Sequence, residues 1–156
     1  MDFYESLEES CVRIGVDYRL TRERIEKVLG GETITNFYIS RPFNSKEEKI
    51  EPLLYCVLVL NSQHFGGLTI RKNKEVELSL FRLADLDYLS LLYSEATLEV
   101  HFGFLGSREY PLVDELSKAQ EILRFTNQVK RLARTFQAII NQAFTKQIEA
   151  TERNTL

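Results

Sequence analysis

The chain has 156 residues, of which 44% are hydrophobic and 28% are charged, and its formal net charge is −3. This composition is close to the globular average and argues against a disordered, a collagen-like or a membrane protein. The length suits one domain, with a core large enough to fold without a metal or a disulfide bond. The slight acidity argues against general nucleic-acid binding, and we expect no nucleic-acid partner.

Two short helices are predicted at the N-terminus. Apolar residues recur every three or four positions from Phe3 to Ile14, as on one face of a helix. Thr21 is a suitable N-cap for a second helix, and Gly30 is a suitable end because glycine tolerates the left-handed C-cap conformation. We expect residues 1–31 to form a helical segment that packs on the main domain.

The pattern changes to alternation of apolar and polar residues between Thr33 and Val113. Alternation is typical of strands, and about seven short strands at spacings of roughly 8 to 12 residues indicate an antiparallel sandwich or barrel rather than βαβ units. We expect one strongly bent antiparallel sheet. The predicted strands cover residues 33–40, 53–60, 65–71, 76–82, 86–92, 98–104 and 109–113.

Residues 83–94, LADLDYLSLLYS, have a second interpretation. We favour a strand here, but the high leucine content also fits a helix. A helix would change the order of elements to α-β-β-β-α-β-α, which resembles small secretion chaperones. The alternative fold and function therefore depend on this segment.

A helical period of 3.6 follows Asp114 and continues until about Ile148. Asp114 is the expected N-cap, and a helix of roughly 35 residues would be about 50 Å long. We expect residues 149–156 to form a flexible tail. The large apolar residues in the first half of the helix, which we expect to plug the sheet structure, are Phe125, Val129, Leu132 and Phe136.

Four stretches follow one another in a familiar order: IEKVLGGETI (25–34), YCVLVLNSQHFGGLTIR (55–71), VELSLFRLADLDYLSL (76–91) and LEVHFG (98–103). With the short strand and long helix that follow, they resemble bacterial pleckstrin-homology-like (PH-like) domains over about residues 25–138. Asn61, Ser62 and Gln63 depart from the usual threonine-containing turn. The resemblance implies an α+β fold, with residues 32–148 forming a bent antiparallel β-barrel of about seven strands capped by the C-terminal helix.

No catalytic or metal site is predicted. The chain has two cysteines and two histidines, and the spacing of Cys11, Cys56, His64 and His101 does not match a zinc site. Ser62 lies two residues before His64, but no carboxylate is defined that would orient the histidine. We therefore expect a non-enzymatic protein without a cofactor.

A compact basic turn at Arg71, Lys72 and Lys74 is the candidate site for a lipid headgroup or another anion. Members of the PH-like superfamily that bind phosphoinositides carry basic residues in the loop after the first strand. Residues 41–49 mix basic and acidic side chains instead. Binding to an anionic membrane surface is accordingly an alternative function, as is a chaperone-like function of holding a partner segment.

The leading prediction concerns the second half of the long helix. A PH-like barrel needs only about four helical turns to close its end, and an apolar surface beyond them would be unusual on a monomer. Either the N-terminal helices cover it, through Phe3, Leu7, Ile25 and Val28, or the same helix of a second chain does. We favour a homodimer, and so a binding or assembly module with a second copy or an unidentified protein as its partner. The predicted self-association residues are Ile139, Ile140, Ala143, Phe144 and Ile148.

The expected location is the cytoplasm. Two cysteines are too few for a disulfide scaffold. The N-terminus is acidic and lacks the basic and apolar regions of a signal peptide. The longest apolar run, Leu53 to Leu60, is far shorter than a membrane span.

Overall fold

A computed structural model describes residues 2–40, 54–71, 75–107 and 109–155. These residues contain three α-helices and seven strands, which confirms the predicted α+β class and the long C-terminal helix. The elements are α1 (Phe3–Ile14), α2 (Tyr18–Leu29), β1 (Ile34–Ser40), β2 (Leu54–Leu60), β3 (His64–Ile70), β4 (Val76–Arg82), β5 (Leu86–Tyr93), β6 (Thr97–Phe104), β7 (Tyr110–Glu115) and α3 (Ala119–Thr155).

The strands form two antiparallel sheets rather than one bent sheet. The first has the order β1-β2-β3-β4 and the second the order β5-β6-β7. The division falls at a 3₁₀ turn, Leu83–Asp85, where Leu83 is fully buried. The guanidinium of Arg82 donates to both carboxylate oxygens of Asp85 at 3.1 Å, which holds the turn in shape. The chain therefore leaves the first sheet here and begins the second.

The helical interpretation of residues 83–94 is wrong. Most of this segment is β5, which pairs with β6 along its length, with Leu91 opposite Val100. β6 alternates buried residues with partly exposed ones, and pairing with β5 satisfies its backbone hydrogen bonds on one side. The element order that resembles secretion chaperones is therefore absent.

α2 begins earlier than the sequence predicts. Its N-cap is Asp17, whose carboxylate accepts a hydrogen bond from the Leu20 amide at 3.1 Å. Thr21 lies inside the first turns, and its hydroxyl donates to the carbonyl oxygen of Asp17 at 2.8 Å. Aspartate and threonine are both good capping residues, and here the aspartate caps the helix while the threonine bonds back to the preceding turn.

Strand β2 is buried on both faces. Its even-numbered residues, Leu54 to Leu60, belong to a cluster that α1 and α2 cover, whereas Val57 and Val59 face the space between the sheets. The helices supply Phe3, Leu7, Cys11, Ile25 and Leu29 to the first cluster. The apolar faces of α1 and α2 are thus occupied by the outer face of the first sheet.

The core between the two sheets is rich in aromatic rings. Phe65 of β3 lies at its centre, with the ring centroids of Phe102 and Phe104 at 4.8 and 5.2 Å. The ring of Phe125 from α3 follows at 6.4 Å. α3 therefore closes this core along one side.

Asp114 does not cap α3, and the prediction that it does is wrong. Asp114 lies in β7, and a 3₁₀ turn, Leu116–Lys118, separates that strand from the helix. Its buried carboxylate accepts hydrogen bonds from the Tyr38 hydroxyl at 2.6 Å and the Glu115 amide at 2.7 Å. At its other end α3 continues to Thr155, so residues 149–155 are helical where the sequence predicts a flexible tail.

Candidate functional site

The first half of α3 packs on the sheets through one apolar face. Ile122, Phe125, Val129 and Ala133 are buried on this face. Leu132 and Phe136, the other residues expected to plug the structure, are half-buried and pack against the same core. Spacings of three and four residues keep all of these side chains on one side of the helix.

The second half of α3 leaves the continuation of that face in water. Every residue from Ala138 to Arg153 is exposed, and Phe144 keeps 63% of its surface accessible. We call the apolar residues of this stretch the α3 stripe: Ile139, Ile140, Ala143, Phe144 and Ile148. These are the residues that the sequence predicts for self-association, and the structure places them together on one uncovered surface.

The charged residues of the same stretch avoid the α3 stripe. At about 100° of rotation per residue, Lys146, Glu149, Glu152 and Arg153 all lie on the opposite side of the helix. Glu149 and Arg153 lie 3.9 Å apart there. The result is an uncharged surface about half the helix circumference wide, which is apolar except for Gln147 near its middle.

The N-terminal helices do not cover the α3 stripe, so the intrachain alternative is wrong. Phe3, Leu7 and Ile25 are buried against the first sheet instead, and Val28 is exposed. The cause is the composition of β2, which is apolar on both faces and requires a cover on its outer face.

Gln137 marks the boundary between the two halves of α3. Its side-chain amide donates to the carbonyl oxygens of Leu86 at 2.8 Å and of Ala84 at 3.4 Å. These bonds attach the helix to the 3₁₀ turn and to the start of β5. The exposed stretch begins at the next residue.

A polar cleft lies between α1, β1 and the start of α3 and encloses about 440 Å³. The Tyr38–Asp114 pair lies in its wall. Burial raises the pKa of the Asp114 carboxyl, although the hydrogen bonds from Tyr38 and the Glu115 amide act in the opposite direction. Burial and the Asp114 carboxylate together raise the pKa of Tyr38. The other ionisable lining residues are Glu9, Arg13, Glu115, Lys118, Glu121 and Arg124. The lining therefore mixes acidic and basic side chains.

The edge of the second sheet presents another apolar surface, which the sequence analysis missed. Tyr88, Leu91, Leu92 and Tyr93 of β5 are all at least 42% exposed. Among the described strands, β5 has one hydrogen-bonded neighbour, β6. The available signal was the run from Leu91 to Tyr93, which breaks the alternation and puts apolar residues on both faces of the strand.

Of the predicted basic turn, only Arg71 lies within the described residues. The guanidinium of Arg71 contacts the carboxylate of Glu77 at 2.9 Å, which compensates its charge. Lys72 and Lys74 lie outside the described residues. The anion site therefore remains a prediction from the sequence.

The candidate metal ligands lie in separate surroundings. Within the part of the chain that the structure describes, no group of three His, Cys, Asp or Glu side chains could hold a metal ion. Cys11 of α1 and Cys56 of β2 are buried in the same apolar cluster, and burial raises the pKa of the Cys56 thiol. The imidazole of His101 lies between Glu99 and Glu109, at 3.1 and 2.9 Å.

Ser62 belongs to the hairpin turn between β2 and β3. Asn61 and Ser62 have φ angles of 50° and 55°, and the Gln63 amide donates to the Leu60 carbonyl at 2.9 Å. The connection has three residues, because Leu60 pairs with His64, and the two positive φ angles let the chain reverse within this short turn.

No family model matches the chain, and a search of the curated proteins finds no significant match. Among the described helices, none combines the length and the apolarity needed to cross a bilayer.

Proposed function

We propose that this protein is a non-enzymatic assembly module that associates with itself through the α3 stripe. The observation that carries the proposal is the uncovered apolar face of α3, on which Phe144 is 63% exposed and Ile139 is 56% exposed. A contiguous apolar surface of this kind is typical of interaction sites. A second copy presents the same uncharged surface, so pairing removes both from water at once.

We further propose that the two sheets and α3 form a PH-like barrel. The resemblance implies about seven antiparallel strands followed by a capping helix, and the described residues contain seven strands followed by α3. Contacts between β1 and β7 support the closure: the Ser40 hydroxyl donates to the Val113 carbonyl at 2.7 Å, and Tyr38 bonds to Asp114. A barrel of this kind would serve as the rigid frame from which α3 projects.

Sedimentation equilibrium at tens of micromolar protein tests the self-association. We expect the wild type to have twice the mass of one 18.2 kDa chain. Phe144→Asp and Ile140→Asp should sediment as folded monomers, because each places a charge inside the apolar interface. A wild-type mass near that of one chain would contradict the proposal.

Leu105→Asp is the matched control. Leu105 is 62% exposed, close to the value for Phe144, but it lies in the turn between β6 and β7. This variant should keep the wild-type mass. Circular dichroism of all variants would show whether the charge alters folding as well as assembly.

Binding to an anionic membrane surface is the alternative function. The observation that favours it is the exposed basic set formed by Lys130, Arg131 and Arg134 on the polar face of the first half of α3, since basic amphipathic helices bind such surfaces. Sedimentation with vesicles that contain anionic lipid would test it. Binding that falls steeply as salt is raised would favour this alternative.

A further inference from the structure

We infer that the open edge of β5 binds an extended, acidic peptide segment of another protein, which adds to the three-stranded sheet as a further strand. The inference concerns a surface other than the α3 stripe and does not depend on self-association. Three features of the molecule carry it: the backbone groups of β5, the composition of this edge, and the basic residues of α3 beside it.

The backbone groups of β5 alternate between those that bond to β6 and those that point away from it. The Ser94 amide donates to the Thr97 carbonyl at 2.9 Å, so these two residues form the first hydrogen-bonded pair of the ladder. Bonded and non-bonded pairs alternate in an antiparallel ladder, and the amides and carbonyls of Leu89, Leu91 and Tyr93 therefore point away from β6. An extended peptide adds to a strand edge through such groups.

The composition of this edge does not prevent pairing. From Tyr88 to Tyr93 the strand reads YLSLLY, without the charge or proline that protects many edge strands. Leu91 lies opposite the buried Val100 but is itself 47% exposed, and Leu92, on the other face of the strand, is 57% exposed. A peptide strand beside β5 would therefore cover apolar side chains on both faces as well as pair its backbone.

A groove of about 250 Å³ lies between this edge and α3. Its apolar lining includes Leu86, Leu89 and Ala133. Its charged lining is Lys130 and Arg134 from the helix and Asp87 from the strand. Neither cation forms an ion pair with any described residue. A peptide on the edge of β5 would thus have two uncompensated positive charges beside it.

The charges of α3 favour an acidic partner. Between Glu121 and Glu149 the helix has five cations and no acidic residue. Complementary charge steers association and disfavours partners of the wrong sign. An anionic membrane would match the same cations, but a lipid surface does not supply the backbone that the edge of β5 can pair with. We therefore favour a peptide over a lipid.

Labelled synthetic octapeptides test the inference on the full-length protein. The first probe alternates valine and glutamate. The second has lysine in place of glutamate, and the third keeps the glutamates but is N-methylated at every peptide bond, so it has no backbone donor. Fluorescence anisotropy at low salt measures binding. We expect the glutamate probe to bind at least about tenfold more tightly than either of the others.

Two variants locate the binding site. Leu91→Pro removes an amide that points away from β6, so it should fold and lose the glutamate probe. Arg134→Glu should weaken binding by about threefold or more, because it reverses a charge that lines the groove. Lys146→Glu is the matched control: it reverses an exposed charge in the second half of α3 and should leave binding unchanged.

Hydrogen exchange keeps the test decisive if Leu91→Pro does not fold. In the wild type, the bound glutamate probe should slow exchange of the Leu91 amide. The amide of Ser90 already bonds to β6 and should not change. Slowing at neither or at both positions would contradict pairing along this edge.

Other results would also overturn the inference. These are no binding of the glutamate probe at concentrations up to about 1 mM, or equal binding of the glutamate probe and either of the other probes. Vesicles of anionic lipid that bind the wild type and Leu91→Pro equally, while the probe binds neither, would assign the cations to a lipid surface. Phe144→Asp should bind the glutamate probe as the wild type does, so failure here leaves self-association standing.

Discussion

The two halves of α3 carry the same apolar pattern but have different surroundings. From Ala119 to Gln137 the apolar face is covered by the two sheets and by the 3₁₀ turn Leu83–Asp85. From Ala138 onwards the same face is exposed. Amphipathic periodicity thus predicts which side of a helix needs a partner, but not whether the chain itself provides that partner. The part left uncovered is where an interaction with another molecule is expected.

Phe125→Ala should have the largest effect, because it removes a side chain from the covered half. Phe125 is 3% exposed and lies 6.4 Å, centroid to centroid, from both Phe65 and Phe102. We expect a loss of about 3–5 kcal/mol in the free energy of unfolding, measured with urea. Phe136→Ala should lose less, because Phe136 is only half-buried. A loss below about 1 kcal/mol for Phe125→Ala would mean that the two halves do not differ in their packing.

Tyr38→Phe should have the next largest effect, because the Tyr38–Asp114 bond joins β1 to β7 just before α3 begins. Losing a hydrogen bond to a charged acceptor costs about 1.5–3 kcal/mol.

Because burial raises the folded-state pKa of Asp114, its ionised form disfavours folding at neutral pH, and this penalty disappears as the pH falls below the unfolded-state pKa. In Tyr38→Phe the carboxylate loses a donor, so its pKa should rise further.

The destabilisation by Tyr38→Phe should therefore be largest at neutral pH and shrink on acidification. Urea unfolding at neutral and acidic pH measures it. Repeating the substitution in an Asp114→Asn background should remove the pH dependence. A destabilisation that is equal at both pH values would show that the carboxylate is not the acceptor that matters.

Gln137→Ala tests the boundary between the halves. It removes the donor to the Leu86 and Ala84 carbonyls, which should cost about 0.5–1.5 kcal/mol. Gln142→Ala, in the exposed half, is the matched control and should change stability by less than about 0.5 kcal/mol. Equal losses of unfolding free energy at both positions would contradict the assignment of Gln137 as the boundary between the covered and the exposed half of α3.

Phe144→Ala should have the smallest effect on the folding of a single chain, below about 0.5 kcal/mol in dilute solution. Its effect should appear through assembly. Self-association stabilises the folded state by mass action, so the wild-type urea midpoint should rise with protein concentration. The midpoint of the variant should not. A variant whose midpoint still follows concentration would show that Phe144 is outside the interface.

Local features of the fold were predictable from the sequence. The alternation of β6 and the period of α3 arise from the geometry of the backbone, which places every second or every third and fourth residue on one side. The residues of the α3 stripe follow from the same period. For this reason the α+β class and the candidate surface were expected in advance. The predicted N-cap of α2, Thr21, was wrong because Asp17 is also a good capping residue and lies four residues earlier.

Other features were decided by contacts between distant parts of the chain. The sequence predicts that Asp114 caps a helix, but its carboxylate is buried and accepts a hydrogen bond from Tyr38, 76 residues away. The exposed edge of β5 depends on which strand lies beside it, and the division into two sheets depends on the burial of Leu83. The α3 stripe was itself predictable, whereas its exposure was not. The outer face of β2 and the α3 stripe are both apolar, and α1 and α2 could have covered either of them. Only the tertiary structure shows that they cover β2 and leave the α3 stripe exposed.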